Sequence, residues 1–154
     1  MKKQSTTFQV FLTLVLLSGC TVTLLAPYDQ ITDTKTAELH ESVLLQLNRL
    51  NAIYELNADS SVLTYKENFD FYNVSITKTE LLLSRNKGIE KNEIIVKQLQ
   101  GLLENLEDLK DIHQEDVILQ PVDLQSFKTI FDVQLGAIQK FQQVRRQSNK
   151  SSEK

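Results

Sequence analysis

The sequence predicts an all-α fold, an up-down antiparallel four-helix bundle that follows a cleaved signal peptide. Three observations predict it. Four glycines and two prolines are spread over 154 residues, too few for the many tight turns of an all-β chain. Apolar residues recur at alternating three- and four-residue steps through four long stretches, the period of one helical face. Short breaks rich in turn residues separate the stretches, and short connections make successive helices antiparallel neighbours. Each apolar stripe alone would face water, so its burial against the other three drives folding.

Residues 1–19 read as an address. Met1-Lys2-Lys3 is a basic start, and the apolar run from Phe8 to Leu17 follows it. That run is about ten residues, the length of a signal-peptide core, and about half of what a membrane span needs. Leu17-Ser18-Gly19-Cys20 closes it, with the chain's single cysteine at the end. This stretch resembles the lipobox of bacterial lipoproteins. The resemblance implies that the peptidase recognises Leu17, Ser18 and Gly19 and cuts before Cys20. It also implies that the Cys20 thiol carries a diacylglycerol and the new amine a further acyl chain. Two or more chains hold a protein firmly on a membrane where one does not. Thr21 follows the cysteine where an aspartate would signal retention at the inner membrane. The resemblance therefore implies the inner leaflet of an outer membrane, facing the periplasm.

Residues 20–28 form the lipidated cysteine and a short tether. Thr21 to Pro27 reaches about 25 Å when fully extended, which keeps the domain close to the bilayer. The bundle domain is expected over 29–147. Its first helix spans 29–57, with Thr36, His40, Val43, Leu47, Leu50 and Tyr54 on one face and Asp29 and Asp33 at the favourable end of its dipole. Asn57-Ala-Asp-Ser-Ser61 breaks it and offers serine caps. The second helix spans 62–86, with Val62, Tyr65, Phe69, Tyr72, Ile76, Thr79 and Leu83 in register, and Gly88 placed to end it in the left-handed conformation. The third spans 90–114 and has the cleanest stripe: Ile95, Leu99, Leu102, Leu106, Leu109 and His113. Pro121 suits the first turn of the fourth, whose face is Leu124, Phe127, Phe131, Leu135, Ile138 and Phe141. Arg145 and Arg146 fall near its C-terminal end, where cations are favoured. Residues 148–154 are a polar tail expected to fray. Gly101 and Gly136 lie inside helices, where each costs about 1 kcal/mol relative to alanine; close helix approach is one reason to keep them.

Several segments beyond the lipobox resemble a family of small Gram-negative helical lipoproteins. They are Tyr28-Asp29 with Thr32-Asp33, Asn68-Phe-Asp-Phe-Tyr72, and Val96-Lys-Gln-Leu99 through Leu109 to His113. The family has no assigned activity to transfer. It implies a helical fold and an envelope location, and nothing about mechanism.

Composition excludes whole classes. The chain has 17 basic and 20 acidic residues, a net charge of −3, and loss of Lys2 and Lys3 makes it more acidic. No basic face for nucleic acid is expected. With Cys20 modified no thiol remains, so the fold rests on its core without disulfides. No cofactor or metal is expected. One cysteine cannot attach a c-type haem, and Met1 is the sole methionine. Ala37 and Lys110 stand where a di-iron Glu-x-x-His motif needs glutamate before His40 and His113. The two histidines differ in height along a bundle by roughly 20 Å, so each is expected to make its own local hydrogen bond.

Glu104, Asp108, Asp111 and Glu115 repeat four, three, four along helix three, joined by Glu107 and Asp116. They are expected to face away from its leucines, as a solvated face or as a surface that weakly binds a divalent cation or a basic partner. Phe69, Phe71, Tyr65 and Tyr72 read as core, with the lining of a ligand pocket as the alternative, and Phe71, off the heptad and partly exposed, as a candidate partner contact. No acid, base and nucleophile constellation and no phosphate loop is visible, so an enzyme is not expected. The expectation is a non-catalytic interaction or structural module, anchored to the membrane through Cys20 and bound to an envelope protein. The alternatives are a small-molecule or metal carrier using the bundle interior and a prophage-encoded envelope factor.

Overall fold

In the computed structural model the described residues are 26–56, 59–116 and 118–152. Among them are four long helices. The expected signal peptide, 1–19, and the expected lipidation site Cys20, with Leu17, Ser18 and Gly19, lie outside the described residues. No helix among those described is long and apolar enough to cross a membrane.

Helix α1, Gln30–Glu55, is capped by Asp29, whose extended backbone turns its carboxylate onto the Ile31 amide. Its buried face is Thr32, Thr36, Leu39, Val43, Leu47 and Leu50. The expected His40 and Tyr54 are not on it. Both 36→39 and 36→40 satisfy helical spacing, and burying Leu39 gains more than burying an imidazole. His40 is half-buried beside the last helix, and Tyr54 is exposed with its hydroxyl on Gln120.

A 3-10 turn, Ser60–Leu63, precedes the second helix. Its cap is Asp59, which accepts from the Ser61 amide at 2.9 Å, in place of the expected serine. Val62 belongs to this turn. Helix α2, Tyr65–Lys87, buries Asn68, Tyr72, Ser75, Thr79, Leu82, Leu83 and Asn86. Phe69 was expected inside and is 46% exposed. Asn68 takes the inner position because its amide is saturated there. It donates to the Val62 and Thr64 carbonyls at 2.9 and 2.7 Å and accepts from Gln46 at 2.6 Å. Phe71 is partly buried against the core.

Gly88 ends α2 in a right-handed conformation, φ −83°, and not in the left-handed one expected. The helix closes with tight bonds from Gly88 N to Arg85 O and Ile89 N to Asn86 O. The left-handed residue is Lys91, φ 58°.

Helix α3, Glu93–Asp116, buries the expected stripe from Ile95 to His113 without exception. Helix α4, Pro121–Ser152, starts at the expected proline and buries Leu124, Phe127, Phe131, Leu135 and Ile138. Phe141 is only half-buried, and the face continues through Gln142 and Arg145. The helix also continues past residue 147 to Ser152, where a frayed tail was expected.

α1 packs most closely on α4 and α2 on α3, while α1–α2 and α3–α4 approach less closely. The arrangement is an antiparallel four-helix bundle. Leucines from every helix meet in one core. The loop end holds the α1–α2 and α3–α4 connections, tied by an antiparallel bridge between Thr64 and Ile118. The tether end holds Ala26 to Asp29, the α2–α3 turn and the last turns of α4. An added Cβ at Gly136 meets nothing within 4 Å, and one at Gly101 makes ordinary contact with Gln134. Neither glycine is there for close helix approach.

Candidate functional site

The tether end carries a dense polar network, built from residues of α1, α2 and α4 and from the residue that precedes α3. Asp29 caps α1, and the Arg85 guanidinium grips it from α2 with Nε and Nη2, both at 2.9 Å. Thr32, one turn into α1, donates to Asp29 at 2.7 Å and receives the Asn86 amide at 2.9 Å. Asn86 donates also to the Leu82 carbonyl, and its side-chain oxygen accepts from Asn92 at 2.6 Å. Asn92 stands just before α3, where its carbonyl receives the Val96 amide. Its side-chain oxygen is taken by Arg145 Nη1 of α4 at 2.7 Å. Gln142, one turn earlier on α4, accepts from the Asp29 amide at 3.3 Å. Ala26 donates to the Lys91 carbonyl and is itself buried. The entering chain is thus fastened to all four helices or their turns.

Electrostatics at this end are uneven. The Arg85 guanidinium, with help from the Thr32 hydroxyl and the Ile31 amide, holds the Asp29 carboxyl at a pKa of about 2. Arg145 has no such partner. Its side chain is 2% exposed, it lies 4.4 Å from the Phe141 ring centroid, and burial pushes its pKa down. Arg145 Nε, Arg145 Nη2 and Gln142 Nε2 are buried without hydrogen-bond partners. Asn86 and Asn92 also border an open depression of about 550 Å³ that carries Lys87 and Lys97.

The loop end is polar too. His113 Nε2 donates to the Leu63 carbonyl at 2.7 Å, so Nδ1 is the acceptor for the Tyr72 hydroxyl, also at 2.7 Å. Tyr65 stacks on Tyr72 with ring centroids 5.8 Å apart. Burial raises the Tyr72 pKa and lowers that of His113. His40 lies away from this cluster, between Asp132 at 2.9 Å and Gln139 at 3.2 Å. The two histidines are not brought together.

Glu104, Asp108, Asp111 and Glu115 are all exposed on the outer face of α3, with Glu107 and Asp116. Among the described residues no three acidic, histidine or cysteine side chains are grouped so that they could hold a metal ion. Sequence reading put Arg145 at the helix terminus as a dipole charge and passed over Gln142, Asn86 and Asn92. The signal was present for three of them. Two further steps of the α4 period past Ile138 land on Gln142 and Arg145, and one step past Leu82 lands on Asn86. No family model, curated protein or solved structure matches this chain.

Proposed function

We propose that this protein is a lipid-anchored, periplasm-facing bundle lipoprotein of the bacterial envelope, acting through protein contacts and not by catalysis. The observation that carries the reading is Leu17-Ser18-Gly19-Cys20 behind a basic start and a short apolar run. Acyl chains on Cys20 anchor the chain, and the inner leaflet of the outer membrane is the expected site. Two features of the bundle support it. The chain enters at one end and is fastened there from Ala26 onward, so the tether end lies next to the bilayer. The long axis then carries the acidic face of α3 away from the membrane, where a basic surface of an envelope protein can reach Glu104, Asp108, Asp111 and Glu115.

Crosslinking in living cells followed by purification tests this reading. The expected result is one abundant partner, lost with Cys20→Ser and lost again when the four acidic residues become glutamine in the anchored protein. Unchanged capture by the glutamine variant contradicts the surface assignment. Unchanged capture by Cys20→Ser contradicts the need for an anchor.

A further inference from the structure

The donors left over at the tether end have a specific shape. Arg85 shows how its neighbour should behave: it uses the Nε–Nη2 edge of the guanidinium to take both oxygens of Asp29. Arg145 is the more buried of the two, yet the same Nε–Nη2 edge meets no acceptor, and only Nη1 is used, on Asn92. That edge is the fork that matches two oxygens of a carboxylate or phosphate. Gln142 lies three residues earlier on the same helix, fully buried, with its Nε2 also unpaired.

Three physical arguments favour an anion over water. Every unpaired atom on Gln142 and Arg145 is a donor, and a bridging water needs acceptors for its own hydrogens. Arg145 makes no ion pair of its own: Asp29, the nearby carboxylate whose charge favours that of Arg145, is gripped by Arg85, and a buried cation that only shares a counter-charge is costly. The guanidinium also bonds the residue that opens α3, so it lies beside the positive end of that helix dipole, where a cation is disfavoured and an anion favoured. The adjoining depression carries Lys87 and Lys97 against one carboxylate, Glu93, so its wall is net positive.

We propose that Arg145 and Gln142, at the start of α3, form a binding site for a phosphate group. A phosphate offers several acceptor oxygens to a donor set of this size. The site does not rest on the lipid anchor, because every residue in it belongs to the bundle. A free phosphate and the phosphate of a lipid headgroup present the same chemistry to it.

The test follows the Arg145 Nε–H resonance of the isotopically labelled full chain in a phosphate-free, non-ionic detergent. Inorganic phosphate is added against chloride at equal ionic strength. A saturable shift of this resonance and of the Gln142 side-chain amide is expected, unchanged by Cys20→Ser; in Arg145→Lys, which keeps the charge but loses the fork and its Nε–H, the Gln142 amide should report binding weakened about tenfold or more. The Tyr72–His113 signals at the other end report that each variant is folded. A second arm adds phosphatidylglycerol vesicles or vesicles of a phosphate-free glycolipid to the same sample. A shift with inorganic phosphate assigns the free ion, and one with phosphatidylglycerol alone assigns the headgroup. No saturable shift in either arm, or an equal one with chloride or glycolipid, overturns the proposal.

Discussion

At the loop end, His113 finds one donor and one acceptor for the two nitrogens of its ring; at the tether end, Arg145 finds one acceptor and leaves two nitrogens without any. Both groups are buried and both join helices that are far apart in sequence. The difference is balance. Tyr72, His113 and the Leu63 carbonyl form a closed, neutral lock that holds the 3-10 turn against α3. The tether end is charged and has donors to spare. A balanced polar cluster is explained by the fold alone, whereas an unbalanced one at the end where the chain enters points to something outside it.

The largest effect is expected at the tether end itself. Asn86→Ala removes the hub that joins Thr32, Asn92 and Leu82, and leaves buried groups unpaired; it should cost about 3 kcal/mol in denaturant unfolding. A loss under about 1 kcal/mol would show that the network is not load sharing. Tyr72→Phe tests the opposite end and should cost about 1–2 kcal/mol, because His113 Nδ1 is left as a buried acceptor without a donor.

The two ends should also respond to acid in separate windows. Burial lowers the His113 pKa, so the unfolded chain binds a proton near pH 6.5 before the folded one does. Stability therefore falls as pH drops from about 6.5 towards the lowered folded value. Asp29, held at about 2 by Arg85, acts later. Its contribution is present above the unfolded value of about 3.9 and is lost as pH falls from there to about 2. Unfolding across a pH series should show the first slope flattened by His113→Gln and the second by Asp29→Asn. A single slope removed by either variant would merge the two ends into one unit.

The smallest effect belongs between the ends. Gly136→Ala should stabilise by about 1 kcal/mol, since the added Cβ meets open space and the helix gains propensity. A destabilising result would mean that this stretch of α4 has a neighbour the bundle does not provide.

α3 and α2 show what was legible. In α3 every inward position is apolar or His113, so the three-four count alone finds the buried face. In α2 the inner face is mostly polar: Asn68, Thr79 and Asn86 are buried where the fold supplies partners, and Ser75 is buried with its hydroxyl unpaired. Counting hydrophobic residues therefore rotated the helix towards Phe69 and missed the hub. Gly88 misled for a related reason, because the turn took its left-handed residue three positions later, at Lys91. Arg145 fell on the buried period of α4, but a charge on that period reads as a surface residue until the helices around it are known. Asn92 precedes its helix and belongs to no period at all.

Which of the two ends faces the bilayer rests on Cys20. The most direct measurement is the intact mass of the protein extracted from membranes by detergent. The account predicts a chain that begins at Cys20, lacks residues 1–19, and is heavier by a diacylglyceryl group and one further acyl chain, with Cys20→Ser carrying none of these. A chain that still begins at Met1, or one with an unmodified Cys20 thiol, would contradict it.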